Sequence, residues 1–206
     1  MPVRPRFANS VFINCPFDSE YWSIFEAIVF CVLSCGFVPR YALEEADSGT
    51  VRLTKIQAII RASKFTIHDL SRVELSVDTR LPRFNMPFEF GLDIGCRVYG
   101  PNETKKKKCL VLDSDPYRYK SFLSDIAGQD IRSHRNSPAT AINLVRQWLR
   151  VVTKRESIPG PLAINEKFAR FTYELPKICD EGGLARNDLQ FVEYVTLVEA
   201  WLRTEK

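Results

Sequence analysis

No stretch of this sequence is long and apolar enough to cross a bilayer. The longest apolar run lies inside residues 24–33, and Glu26 interrupts it; a spanning helix needs about 20 apolar residues. The basic start Met1-Pro2-Val3-Arg4-Pro5-Arg6 is not followed directly by an apolar segment, so no secretory signal peptide is expected. No two cysteines have CxxC spacing and only two histidines are present, His68 and His134. A zinc site of recognisable spacing is therefore excluded. With 9 glycines and 12 prolines, collagen-like and low-complexity classes fall away. No internal repeat is visible. Net charge of either sign is also small: 29 Lys+Arg against 25 Asp+Glu leaves +4, less basic than most nucleic-acid binders. The single strong basic run, Lys105 to Lys108, beside Gly100-Pro101-Asn102, reads as a solvated loop; contact with phosphates is the lesser alternative.

What is present is globular composition, 45% hydrophobic and 26% charged over 206 residues. That suits one domain, or one domain with a small appendage. The six cysteines, Cys15, Cys31, Cys35, Cys96, Cys109 and Cys179, are expected to be free thiols. Cys31 and Cys35 fall i,i+4 on one apolar helix, as buried small hydrophobes do. Unpaired thiols without an export signal point to a reducing cytoplasm.

The order of elements is legible from apolar runs and their stops. Val11 to Cys15, ended by Pro16, reads as a buried strand. Residues 21–35 read as a helix apolar nearly all round, closed by Gly36 at C′. Phe37 to Leu43 is a strand that Pro39 places near an edge. Leu53, Ile56, Ile59 and Ile60 mark a helix, and Phe65 to His68 a third strand ending in Asp69. After a polar loop over 71–83, a helix is expected from about Met86 to Arg97. Cys109 to Leu112 is a fourth strand, 117–125 a short helix, and 127–132 a fifth strand. Ser137-Pro138 opens a further helix as N-cap and N1 proline. Short continuous apolar strands alternating with helices predict an α/β fold. The expectation is a Rossmann-like, flavodoxin-type three-layer sandwich with about five parallel strands, over residues 1–154. Residues 155–206 form a second part that includes the Ser157-to-Pro161 linker. There two amphipathic stripes (Ile164, Phe168, Phe171, Leu175, Ile178; then Phe191, Val195, Val198, Trp201, Leu202) joined by Gly182-Gly183 predict a helical hairpin. It either packs on the core or makes a dimer.

Ligands of open parallel sheets sit beyond the carboxyl ends of the strands. Asn14, Cys15, Pro16, Phe17 and Asp18 follow strand one. Glu44, Glu45 and Asp47 follow strand two, His68, Asp69 and Ser71 strand three, and Asp113 and Asp115 strand four. Carboxylates gathered in a cleft raise one another's pKa and make one a candidate base or nucleophile; the same residues are also ordinary polar loop and cap residues. Glu89 is the sharpest candidate. With Asn85 as cap and Pro87 in the first turn, the helix dipole would hold its carboxylate ionised. An ionised carboxylate can attack an anomeric carbon or stabilise an oxocarbenium ion. Gly91 and Gly95 leave a bare helix face that could pack closely on a strand. Asp125, Asp130 and Arg132 either line a site or fasten a loop. His68 is expected to point away from Asp69, since neighbours in a strand alternate.

Three motifs, Phe12-Ile13-Asn14-Cys15-Pro16-Phe17-Asp18, His68-Asp69-Leu70-Ser71 and Asn85-Met86-Pro87-Phe88-Glu89-Phe90-Gly91, together resemble the nucleoside 2-deoxyribosyltransferase-like superfamily, relatives in fold of TIR-like NAD-cleaving domains. The resemblance spans roughly residues 10–135. It implies an enzyme acting on the N-glycosidic bond of a nucleoside, nucleotide or NAD, and it extends to bacterial proteins suspected in antiphage defence. Glu89 would be the nucleophile and Asp69 its partner at the ribose. Asn14, Pro16, Phe17, Asp18, Asn85 and Met86 would line the substrate. Arg83 stands where such transferases usually carry an Asp. No metal or redox cofactor is implied. A homodimer or higher oligomer is expected. The alternative is a non-catalytic nucleotide-binding or signalling module.

Overall fold

The computed structural model describes residues 5–16, 18–42, 44, 47–73 and 83–205. Its centre is a parallel sheet of five strands in the order β2-β1-β3-β4-β5: β1 Ser10–Asn14, β2 Val38–Arg40, β3 Phe65–Asp69, β4 Lys108–Asp113 and β5 Arg132–Ser133. The edge position foreseen for the Pro39 strand is where β2 lies. The order reverses at β1, so the switch point falls between the carboxyl ends of β1 and β3, the crevice where such sheets take ligands. Register sets Asn14 beside His68 there.

Alternation along each strand divides the core in two. Val11, Ile13, Phe65, Ile67, Leu110 and Leu112 face helices α1 (Trp22–Ser34) and α4 (Pro138–Thr153). Phe12 packs on α2 (Arg52–Ala62), and Val111 packs with Met86 and Phe90 of α3 (Asn85–Tyr99). The all-round apolarity of α1 has a specific cause. The sheet covers one side of this helix. The hairpin of α5 (Pro161–Glu181) and α6 (Phe191–Thr204) covers another, with Ile164, Phe171, Leu175, Tyr194 and Val198 in the same cluster as the sheet. Of the two fates open to the hairpin, packing on the core is the one this fold displays. Glu26, in the middle of α1, meets Arg186 of the hairpin at 2.8 Å.

Local signals mostly behave as expected. Gly36 sits at φ +76 after α1, a conformation costly for other residues. The Ser137 hydroxyl accepts the Thr140 N–H at 3.3 Å, with Pro138 at N1. Four expectations need correction. Residues 117–125 do not form one helix: two short 3₁₀ turns, Arg118–Ser121 and Ser124–Ile126, are separated by Phe122 and Leu123, whose backbone is not helical. The fifth strand is only Arg132–Ser133, since just Leu112 and Asp113 of β4 extend far enough to pair with it. Asn85 does not cap α3: it is the first helical residue, preceded by Phe84 with helical backbone, whereas a cap needs extended backbone to reach the free N–H groups. Lys107 is not solvated; it is 2% exposed.

Candidate functional site

Asp69 closes β3 on the α1/α4 side of the sheet, and its carboxylate organises that side. Its Oδ2 accepts the Tyr21 hydroxyl at 2.7 Å and stands 3.1 Å from His134 Nε2. Its Oδ1 accepts the Ser71 N–H at 2.9 Å. His134 Nδ1 accepts the Asn136 N–H at 3.0 Å, so in the neutral ring the proton sits on Nε2, facing Asp69. Burial alone would raise the Asp69 pKa. The contacts from His134, Ser71 and Tyr21 outweigh it, and the carboxyl is held below its ordinary value. With both oxygens engaged and no exposure, Asp69 holds other side chains in place.

His68, one residue earlier, points through the other face, as strand alternation requires. Its Nδ1 accepts from Asn14 Nδ2 at 2.9 Å, and the same amide donates to the Met86 carbonyl at 2.9 Å. Asn14 thereby fastens β1 to β3 and α3. His68 Nε2 lies 3.2 Å from Asp93 Oδ2, which also accepts from Thr66 at 2.7 Å. Lys107 Nζ stands 3.1 Å from Asp93 Oδ1 and donates to the carbonyls of Ile60 and Ser63. Burial would raise Asp93, yet His68, Lys107 and Thr66 together bring it down to about 2.

His68, Asp93 and Cys109 bring three ligand-type atoms within 4.8 Å of one another. Both Asp93 oxygens are already engaged, one by the Lys107 ammonium, and burial pushes the Cys109 thiol up to about 12. This cluster is a buried ion-pair network with its cation supplied by the chain.

Glu89 lies on α3 and is 7% exposed. Burial pushes its carboxyl up to about 7, with Arg52 acting in the opposite direction. That corrects the expectation of a carboxylate held ionised by the helix dipole. Glu89 lies beyond the first turn, where the dipole field has faded, and desolvation dominates. Cys15, at the end of β1, is raised by burial and then by the carboxylates of Asp69 and Glu89, while Tyr41 hydrogen-bonds its thiol. Asp69 and Glu89 thus both act on Cys15, just past the end of β1.

A cleft of about 640 Å³ opens beside Tyr41. Asp18, Trp22 and Tyr41 line one side; Arg186, Asp188 and Phe191 of the hairpin line the other. The volume falls in the ~300–1,000 Å³ range of small-molecule sites. The Phe191 ring centroid lies 4.9 Å from that of Tyr41. At the mouth, Asp18 accepts the Tyr21 N–H at 3.0 Å and meets Arg72 at 3.1 Å and Arg83 at 3.5 Å.

The remaining predicted site residues scatter. Pro16 is buried, Asn85 is exposed, and Met86 belongs to the core beneath α3. Phe17 and Glu45 lie outside the described residues, as do 74–82 of the polar loop. Asp130 pairs with Arg132 at 2.6 Å on the surface, a loop fastening. Asp113 receives Arg118 at 2.6 Å on Oδ1, while Oδ2 has no hydrogen-bond partner among the described residues. Burial raises its pKa despite Arg118.

Sequence reasoning passed over Asp93, Arg52 and Arg186, and assigned Tyr21 and His134 no structural part. Only Asp93 carried a signal: it lies i+4 from Glu89, on the same helix face. No described helix is long and apolar enough to cross a membrane. Comparison with known proteins returns no match to a family model, a curated protein or a solved structure.

Proposed function

We propose that this chain cleaves or transfers the N-glycosidic bond of a nucleoside, nucleotide or NAD. The observation that carries the reading is Glu89: a carboxyl with pKa about 7 near a switch point of the sheet, grouped through Tyr41 with a nucleoside-sized cleft. The motifs around Asn14, Asp69 and Glu89 that resemble deoxyribosyltransferases support the same chemistry.

In this reading the ionised Glu89 attacks C1′ of the sugar. The C1′–N bond breaks and its electron pair leaves with the base. Nicotinamide departs neutral from its cationic ring; a neutral nucleobase takes a proton from solvent. Water, or a second base, then attacks C1′, and the Glu89 carboxylate is released. Asp69 acts at one remove, holding Tyr21 and His134 as part of the floor. Trp22, Tyr41 and Phe191 offer the apolar wall for a base.

The test is incubation of the pure protein with NAD and a panel of nucleosides and nucleotides, with products separated by chromatography. Release of base or nicotinamide, lost in Glu89→Gln, is the expected result. Arg72 and Arg83, both turned to the mouth at Asp18, favour the alternative, a non-catalytic nucleotide-binding or signalling module whose cations meet phosphate. Nucleotide binding by calorimetry without turnover selects that alternative. Neither binding nor turnover overturns both.

A further inference from the structure

The outer face of α3 carries no charge. Phe84, at its N-cap, and Phe88, Gly91, Gly95, Val98 and Tyr99 recur at helical spacing on one side. The aromatic and branched members stand open to solvent: Phe84 66%, Phe88 54%, Val98 50% and Tyr99 90%. The ionisable residues of α3, Glu89, Asp93 and Arg97, follow one another at i,i+4 along a different row, which starts on the buried side. A surface helix normally turns its charges outward and its apolar stripe inward. Here the apolar stripe continues onto the open face. A Cβ added at Gly91 or Gly95 meets nothing within 4 Å, so these glycines do not serve close packing on a strand, as the sequence suggested. They leave a shallow groove between two bulky ends.

We propose that this face is the interface of a homodimer, with α3 packed antiparallel on the α3 of a second copy. Two features select a second copy over another partner. A two-fold contact sets a patch against itself, so each charge on it would meet its own sign; a patch without charge meets that demand. Its relief is also self-complementary. A dyad beside Gly91 and Gly95 lets the backbones approach closely and sets Phe88 of each copy against Val98 and Tyr99 of the other. Aromatic side chains bury about 150–250 Å² each, so the open fractions here amount to on the order of 500 Å² per copy. Buried completely in both copies, they reach the ~1,000 Å² that a biological interface has to clear. The interface would sit on the back of the helix that carries Glu89, away from the cleft beside Tyr41.

The full chain is tested by sedimentation velocity from about 1 to 100 µM, alone and as Gly91→Glu. The substitution leaves the isolated fold intact, since the position is open and glutamate is the better helix former; an unchanged or raised melting temperature confirms this. A concentration-dependent dimer that Gly91→Glu weakens about 100-fold or more supports the proposal. Tyr173→Glu, on the exposed side of α5, leaves the dimer unchanged. A wild type that stays monomeric throughout, a dimer indifferent to Gly91→Glu, or one broken by Tyr173→Glu instead overturns it.

Discussion

His134 Nε2 stands 3.1 Å from Asp69 Oδ2, with both side chains shut off from solvent. The contact ties the loop after β5 to the carboxyl end of β3, across β4. A double-mutant cycle on Asp69→Asn and His134→Ala is expected to give a coupling of about 1–3 kcal/mol in denaturant unfolding, as for neighbours in one buried network. Asp69 is held below its ordinary 3.8. Its stabilising contribution is complete above that value and fades as pH falls through the lower folded value. In Asp69→Asn that acid-side loss should shrink.

Glu89 carries the opposite sign. Its folded pKa, about 7, exceeds the ordinary 4.5, so the folded state retains a proton that the unfolded state gives up. Stability is full below about pH 4.5, declines as pH rises, and bears the whole cost above about 7, at most about 3 kcal/mol. Glu89→Gln is expected to flatten this decline and raise the melting temperature at pH 8. The same substitution should lower any glycosidase turnover by at least about 100-fold. Gained stability with lost activity separates a reacting group from a packing residue.

Lys107, just before β4, and Asp93 of α3 form a buried ion pair. Lys107→Ala strands a carboxylate without its cation and is expected to cost about 3–5 kcal/mol by urea unfolding. The double variant Lys107→Met with Asp93→Leu should recover much of that loss. Asp93 is held at about 2 against an ordinary 3.8. The wild type therefore loses this contribution between about pH 4 and 2, and the double variant should show a weaker acid transition.

Arg186 fastens the C-terminal hairpin to the buried Glu26 of α1 at 2.8 Å. Burial keeps the Glu26 carboxyl raised even with Arg186 present. Removing the cation in Arg186→Ala raises it further, so the destabilisation should be larger at pH 8 than at pH 4 and reach about 2 kcal/mol. Adding Glu26→Gln is expected to remove the pH dependence. Because Arg186 also lines the cleft, ligand affinity should fall in Arg186→Ala whether or not Glu26→Gln is added.

The local elements were legible because each rests on neighbours in sequence. The run Val11 to Cys15 stopped by Pro16, the stripe of α4 behind Ser137-Pro138 and the positive φ of Gly36 all depend on residues a few positions apart. The parallel arrangement of the strands followed from their alternation with helices. Lys107 was misread because nothing in four consecutive lysines marks the one that turns inward. Asn85 was misread because the cap of α3 depends on the backbone of Phe84.

The sequence by itself determined the α/β class, the strand at the edge and the C-terminal helices. Those depend on periodicity and stop signals, which are local. Only the tertiary structure decided what each carboxyl became. Asp69 receives Tyr21, Ser71 and His134 from separate segments and stays ionised, whereas Glu89 loses water with Arg52 as its opposing charge and keeps a proton to about pH 7. A pKa is set by every group within a few ångströms, and such neighbours are drawn together from positions far apart in the chain.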